Sequence, residues 1–303
     1  MSEEFSLEPY ESSHRDDYLG LLGDAWGGGA MSGETFDWWF DGDPAGSLRS
    51  VAIRDGRVVG VAGHSKCRLT LRGVESVGQF SVHAVTSPEA RGLGIFRALE
   101  LRHEDQGREH GSSCVLAFAS APTRPLFLEP LGWTQIDRRR VWARLLPVGG
   151  RRGLRTMERF ETRHDDAYAR DARRLRNHVI RDSRYLNWRY VDSPREYRLL
   201  ETKGGGFAVV GLTRKRGLRL ALLMELLGRG EDRRELLRGA LGAARGSAAL
   251  LAVPSPVLPR SRLLRHGFLP TTYRLDFMGK GLAEPLDARS EAWTVSFGDT
   301  DFF

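Results

Sequence analysis

Residues 79–99, QFSVHAVTSPEARGLGIFRAL, hold the side chains and the spacing best suited to chemistry. His83 is an imidazole, which changes charge near neutral pH and can take a proton from a nucleophile. Alternation along a strand puts Gln79, Ser81, His83 and Val85 on one face and Phe80, Val82 and Ala84 on the other. Ser87-Pro88 ends the strand, because Pro88 has no amide to donate. Arg91-Gly92-Leu93-Gly94 follows, and Leu93, Phe96 and Leu99 then recur with helical spacing. The order is strand, glycine loop, helix. A helix start has free amides and the positive end of a dipole, and glycines let a ligand approach the backbone, so this arrangement suits phosphate. The G-x-G-x-x-G signature and a repeating strand-helix series are both missing around it, which argues against a dinucleotide fold.

The stretch resembles the pyrophosphate loop of the GNAT superfamily of acyl-CoA acyltransferases, whose motif is Gln/Arg-x-x-Gly-x-Gly/Ala after a β-strand. Arg91, Gly94 and Phe96 occupy its three defined places, and Phe96 departs from the pattern by its size. The resemblance implies acetyl-CoA as co-substrate, held by Arg91, Gly92, Leu93, Gly94, Ile95 and Phe96. It implies that the backbone around Ala84, Val85 and Thr86 binds the pantetheine arm and polarises the thioester, with Ser120 as a further contact. The implied reaction moves an acetyl group to an amine of a small polar acceptor; a basic second half suits an anionic one. No metal is implied.

Making an amide from a thioester needs a base for the amine, donors for the oxyanion and help for the leaving thiol. Several GNAT enzymes carry a Glu early on the central strand. Gln79 stands there, and a neutral amide cannot take a proton. His83, or a water chain through Gln79 and Ser81, are the alternatives. The family's Tyr on the short helix is replaced by Leu128. The first half offers only Tyr10 and Tyr18; Tyr185 or Tyr190 from the second half are further candidates, and otherwise the thiol leaves with help from water.

The elements that must position these groups are legible. A first strand spans 5–7, a helix 13–26 and a short helix 34–40 ending in Trp38-Trp39-Phe40. Asp55-Gly56 predicts a hairpin between strands at 50–54 and 57–64, and a further strand continues to 71. Beyond the loop a helix runs to about 110, then come a strand at 113–120, a short helix at 123–131 and two strands through 146. This order matches the GNAT order. The second half echoes it: Leu116-Ala117 and Ser120 recur as Leu251-Ala252 and Ser255, and Gly132-Trp133 as Gly267-Phe268. The expected fold is therefore α/β, two tandem GNAT-like domains, each a central mixed, mostly antiparallel sheet flanked by helices. The expected division is a first domain at 1–148, a linker at 149–156, a second domain at 157–280 and a tail at 281–303 packed on the second domain. Leu227-Gly228-Arg229-Gly230 lies where the second copy's loop belongs, but Glu231 and Asp232 follow it, so a single cofactor site is expected. The arrangement resembles tandem-GNAT acyltransferases, including the enhanced-intracellular-survival type. That type uses its terminal carboxylate in catalysis; Phe303 would supply it here, or the tail is simply a strand pinned to the second domain.

Composition bounds the rest. With 303 residues, 41% hydrophobic and 28% charged, the chain suits two globular domains. Residues 1–148 carry 16 Lys+Arg against 20 Asp+Glu, a balance of −4, which leaves 30 against 19, or +11, for the remainder. Only four of the basic residues are lysines, so the excess reads as a preference for Arg, and no stacking motif of a nucleic-acid reader accompanies it. Nucleic acid is not an expected partner. Cys67 and Cys114 read as reduced, buried residues of a cytoplasmic protein, and neither a leader nor a membrane span is expected. Two rival readings remain: an aminoacyltransferase of the kind that builds peptidoglycan bridges, and a non-catalytic acyl-CoA sensor.

Overall fold

The computed structural model describes residues 5–27, 31–145 and 154–301. The chain begins with β1 (Ser6–Pro9), α1 (Arg15–Trp26), α2 (Gly33–Phe36), β2 (Ser47–Arg54), β3 (Arg57–Leu71), β4 (Val74–Thr86), α3 (Ile95–Glu109), β5 (Cys114–Ala119), α4 (Arg124–Leu128) and β6 (Thr134–Leu145). It continues with β7 (Arg155–Thr156), α5 (Thr162–Ala172), β8 (His178–Val179), α6 (Ser183–Tyr190), β9 (Tyr197–Glu201), β10 (Phe207–Lys215), β11 (Leu218–Leu227), α7 (Gly230–Ala243), β12 (Ala249–Ala252), α8 (Arg260–Arg265) and β13 (Leu269–Gly281).

Two compact units emerge. The first comprises the described residues through Arg68, with Ser76–Ile136 and Phe277–Ala288; the second comprises Leu69–Glu75, Asp137–Asp276 and the described residues from Arg289 onward. The boundary expected at 148 is corrected by two long strands. Residues 134–136 of β6 and 277–281 of β13 belong to the first unit, while 137–145 and 269–276 belong to the second. The expected linker also changes. Residues 149–153 lie outside the described residues, and Arg155–Thr156 is a strand, pairing as Arg155↔Glu201 and Thr156↔Leu200.

In the first unit the strand order is β1-β2-β3-β4-β5-β13. β1–β2 and β2–β3 are antiparallel and β4–β5 is parallel. Asp55 and Gly56 turn β2 into β3 at φ of 50° and 73°, the left-handed pair that a tight hairpin demands. Helix α3 buries Ile95 and Leu99 against Ala52, Val59, Ala62 and Ala90. The same face carries Glu100, His103 and Glu104, all fully buried. Each has partners. Glu100 meets His64 Nε2 at 3.0 Å and accepts from Ser81 Oγ at 2.8 Å. His103 Nε2 lies 2.9 Å from Ser50 Oγ. Glu104 accepts from Trp133 Nε1 at 2.8 Å and Lys280 Nζ at 2.7 Å. Glu100 and Glu104, each held by two partners, and His103 through Nε2 tie the helix to one register on the sheet, although Nδ1 of His103 and of His64 is buried without a partner.

The second unit repeats the design, with strand order β13-β6-β12-β11-β10-β9-β7. β11–β12 is its parallel pair; β9–β10, β10–β11 and β12–β6 are antiparallel. Helix α7 packs Leu236, Leu237, Ala240, Leu241 and Ala244 into the core, the face its spacing predicts. Of the expected tail, residues 281–288 belong to the first unit, and the described residues from Arg289 onward belong to this one. Arg181 donates to Glu225 Oε1 at 3.0 Å and Asp299 Oδ1 at 2.7 Å, and Arg189 donates to the carbonyls of Gly298 and Thr300 at 3.2 and 2.7 Å. Gly298 has to be glycine, since a Cβ there would stand 2.1 Å from Glu225 Oε1 and 2.3 Å from the Tyr190 hydroxyl.

His178 is buried in this unit, with the Tyr168 hydroxyl 2.8 Å from Nε2. Burial, with Arg181 adding to it, pushes the imidazole from 6.5 down to about 4. The folded form therefore binds fewer protons than the unfolded chain between those values, and its stabilising contribution is complete above pH 6.5 and lost as pH falls toward 4. The expected loss from this group is on the order of 3 kcal/mol. Urea unfolding at a series of pH values across that window checks it, and His178→Gln should flatten the slope.

Candidate active site

β4 and β5 pair at Gly78↔Cys114, Gln79↔Val115 and Phe80↔Leu116 and then part, although β4 runs on to Thr86 and β5 to Ala119. Their separation leaves a wedge whose walls are strand backbone. Rings mark its base: Phe80 stacks on Phe118 at 6.1 Å, and Phe118 on Phe277 at 5.0 Å. Ala84, Val85 and Thr86, expected along the pantetheine arm, lie half-buried on the free part of β4. Ser120 is exposed just past β5, where its amide donates to Thr123 Oγ1 at 3.0 Å and starts the turn into α4.

The loop follows. Pro88–Ala90 forms one tight helical turn, and Gly92 and Gly94 sit at φ of 85° and 80°, which L-residues adopt only under strain. A Cβ at either would meet nothing within 4 Å, so the loop faces open space. Ala98 N–H closes the first turn of α3 onto Gly94 O at 3.0 Å, which leaves the amides of Ile95, Phe96 and Arg97 without helical acceptors. No acidic side chain lies in that first turn. Arg91 is exposed, whereas the side chains of Leu93 and Ile95 go into the core of the unit and only their backbone remains for a ligand. Phe96, the departure from the motif, turns its ring away and packs edge-on to Phe127 at 5.2 Å. It does not cover the loop. Donor set, sign of charge and free space all fit a diphosphate.

The alternation expected along β4 fails at one residue. His83 has φ of 52°, and this left-handed step shifts the phase of the strand. Gln79 and Ser81 face α3: Gln79 Nε2 donates to His103 O at 2.9 Å, and Ser81 Oγ to Glu100. Beyond the step Ala84 packs with Ile95 and Leu99 on that same side. His83 therefore lies on the opposite face from Gln79 and Ser81, not beside them, while Gln79 and Ser81, the residues expected to carry a water chain in its place, share the face toward α3. Gln79 is also fully buried, with its Nε2 given to His103 O and its Oε1 without a partner.

His83 instead sits among aromatic rings, with Trp26, Trp39 and Phe40 at 5.9, 5.8 and 6.1 Å between centroids. Trp39 is held by its Nε1–H bond to Ser65 Oγ at 2.7 Å, while Trp26 is 45% exposed. The Trp38-Trp39-Phe40 run signals this nest in the sequence, but only the strand's extra residue brings His83 to it.

The tyrosines do not supply an obvious acid. Tyr18 is fully buried and its hydroxyl is pushed well up by desolvation. Burial also raises Tyr190, whose hydroxyl donates to Glu225 at 2.8 Å, and Tyr185, which reaches Gly298 O at 3.5 Å. Both hydroxyls are committed within the second unit. Phe303 lies outside the described residues. Among the described residues no group of His, Cys, Asp or Glu has the arrangement of a metal site, and no helix is long and apolar enough to cross a membrane. Cys67 and Cys114 are buried free thiols, the latter pushed up to about 12 by desolvation.

The second unit has the same wedge without the open loop. β11 leaves β12 after Leu222↔Leu251, and the space beyond is lined by Leu223, Leu226, Val253 and the tail residues Thr294, Val295 and Ser296. At the start of α7, Gly228 N–H donates to Asp171 Oδ2 at 2.8 Å, and Arg229 and Arg233 reach the same carboxylate at 3.2 and 3.4 Å. Asp171 is only 5% exposed. A carboxylate of the chain itself thus occupies the position that a phosphate takes at such a loop. A groove of about 780 Å³ in this unit, lined by Arg195, Tyr197 and Gly239, has neither a free glycine loop nor a parted strand pair beside it.

No family model and no curated protein matches the chain. Solved structures do. A GCN5-related N-acetyltransferase from Kribbella flavida superposes with TM-score 0.67 at 15% identity, over 92% of this chain and 72% of that one. One from Anabaena variabilis gives 0.69 at 13%, over 92% and 73%. Eis1 from Mycobacterium abscessus gives 0.57 at 13%, over 92% and 73%. The fold is that of the GCN5-related N-acetyltransferases, and its central features occur twice along this chain.

Proposed function

We propose that the chain is an N-acyltransferase that uses acetyl-CoA or a similar acyl-CoA and acts on the amine of a small polar acceptor, with its site in the first unit. One observation carries this reading: a parted parallel strand pair leads into a glycine loop whose amides are free, whose surroundings are open and whose helix start holds no acid. The solved structures of the same fold named for acetyl transfer support it.

Residues 91–96 would hold the diphosphate through backbone amides, with Arg91 adding charge. The acyl-CoA supplies an activated thioester. The free backbone of Ala84, Val85 and Thr86 would orient that carbonyl and donate to its oxygen as negative charge develops there. The amine's nitrogen attacks the carbonyl carbon, its proton passes to His83, and the carbon–sulfur bond breaks with the electron pair leaving on sulfur. Trp26, Trp39 and Phe40 keep the imidazole in place and shield that side from water.

His83→Asn keeps a residue that tolerates the left-handed backbone and removes the base. Turnover is expected to fall about 100-fold, with affinity for acetyl-CoA unchanged and the rise of rate with pH lost. Release of free thiol from acetyl-CoA, with a panel of amino sugars, polyamines and aminoglycosides, provides the assay. An unchanged pH profile would remove His83 from the role. Binding of acetyl-CoA without thiol release on any amine would favour the sensor, and binding of aminoacyl-tRNA in its place would favour the bridge-building aminoacyltransferase.

A further inference from the structure

The wedge of the second unit is lined but not filled. Where β11 and β12 part, beyond Leu222↔Leu251, a cavity of about 50 Å³ remains, several times the roughly 10–15 Å³ that admits one water. Leu223, Leu226, Val253, Leu258 and Val295 give it apolar walls. The charged pair that lines it is satisfied, with Arg181 Nε and Glu225 Oε1 at 3.0 Å. Ser255 Oγ accepts from Leu258 N–H at 3.2 Å, and Ser296 Oγ from Gly298 N–H at 3.1 Å.

His178 lines the same cavity and is 4% exposed. The Tyr168 hydroxyl holds its Nε2 at 2.8 Å, but its Nδ1 is buried with no hydrogen-bond partner among the described residues. A ring nitrogen left unpaired in an apolar wall forfeits the hydrogen bond that water gives it in the unfolded chain. The cavity beside the ring is where a partner can stand.

The surroundings fix the chemistry of that partner. Asp171 already takes the Gly228 amide before α7, so a phosphate has no anchor here. Burial keeps His178 uncharged at neutral pH, and Arg181 already has Glu225 and Asp299, so neither an anion nor a cation finds a counter-charge. A neutral imidazole bound to Tyr168 through one nitrogen offers the other as N–H donor or as acceptor, according to tautomer. A hydroxyl group serves both. We propose that the parted strands β11 and β12 form a binding site for a short aliphatic alcohol, its chain among Leu223, Leu226 and Val253 and its hydroxyl on His178 Nδ1. The volume fits a molecule of about five heavy atoms.

The site does not depend on the acyl-transfer reading, and its test uses no acyl-CoA. 1-Butanol is titrated into the full chain, labelled at histidine nitrogens and at Leu and Val methyls, and followed by NMR. The methyl signals of Leu223, Leu226 and Val253 should shift saturably, with one equivalent bound. The His178 Nδ1 signal should move with 1-butanol and stay still with n-pentane, which has the same length and no hydroxyl. Affinity should rise about fourfold per methylene from ethanol to 1-butanol and level off in longer alcohols, once the cavity is full. Val253→Phe, which fills the space, should abolish binding. His178→Leu should weaken 1-butanol by about tenfold or more and leave n-pentane unchanged. If His178→Leu does not fold, the Nδ1 signal of the parent chain decides. Wedge methyls that do not shift, or that shift equally in Val253→Phe, would overturn the site. Methyls that shift while Nδ1 stays silent would overturn the alcohol as its ligand.

Discussion

Gly94→Glu should abolish coenzyme A binding, with Kd weakened more than 100-fold and the chain still folded. Two effects act in the same direction. At φ of 80° any L-side chain is strained, at a cost of about 1 kcal/mol, and relief would tilt the amides at the start of α3. The larger effect is charge: a carboxylate in the open space before Ile95 would itself accept from those amides and repel a diphosphate. Asp171 shows the outcome in the second unit, where a carboxylate already holds Gly228 N–H at 2.8 Å. Gly94→Asn, which tolerates the same backbone and adds no charge, should lose far less. Calorimetric titration with coenzyme A measures both. An affinity for Gly94→Glu within threefold of the parent would remove residues 91–96 from the site.

Arg181→Met should be the most destabilising of the single changes considered, by about 3–5 kcal/mol. Arg181 is buried and stands between Glu225 and Asp299, which are buried as well. Methionine fills much of the volume but strands two carboxylates without a counter-charge. Glu225 is already held above its usual 4.5, because burial outweighs the pull of Arg181. A carboxyl raised in the folded state stabilises below its unfolded pKa and loses that contribution as pH rises through the folded value. With Arg181 gone this dependence should steepen, so the variant should be least stable near neutral pH and recover as pH falls below about 5. Arg181→Met/Glu225→Gln should regain part of the loss. Urea midpoints of the three chains at pH 5 and 7 check the sign. An Arg181→Met chain as stable as the parent at pH 7 would mean that the cluster holds nothing together.

Much of this was legible in the residues, for reasons that can be named. Asp55-Gly56 specifies a hairpin because few other pairs accept two left-handed steps. The helical spacing of Leu236, Leu237, Ala240, Leu241 and Ala244 reports a buried face because nothing else produces that period. The position of His83 was not legible. QFSVHAV alternates without interruption, and an extra residue in a strand leaves no mark on a pattern of period two. Nor was the interior of α3, since Glu100, His103 and Glu104 read as a solvated face unless His64, Trp133 and Lys280 are known to meet them. Asp171 lies far along the chain from the loop that it neutralises, and no local spacing connects the two. Phe96 looked like an obstruction because size can be read from the sequence and direction cannot.

β13 has a consequence for how the protein is made. β5 has β4 on one side and residues 277–281 on the other, and these leave the ribosome only after nearly all of the second unit. At ordinary rates of translation the outer edge of β5, apolar from Cys114 to Ala119, must wait on the order of ten seconds for its neighbour. During synthesis the half of the chain that begins first is finished late, and until then its nascent sheet presents an open edge.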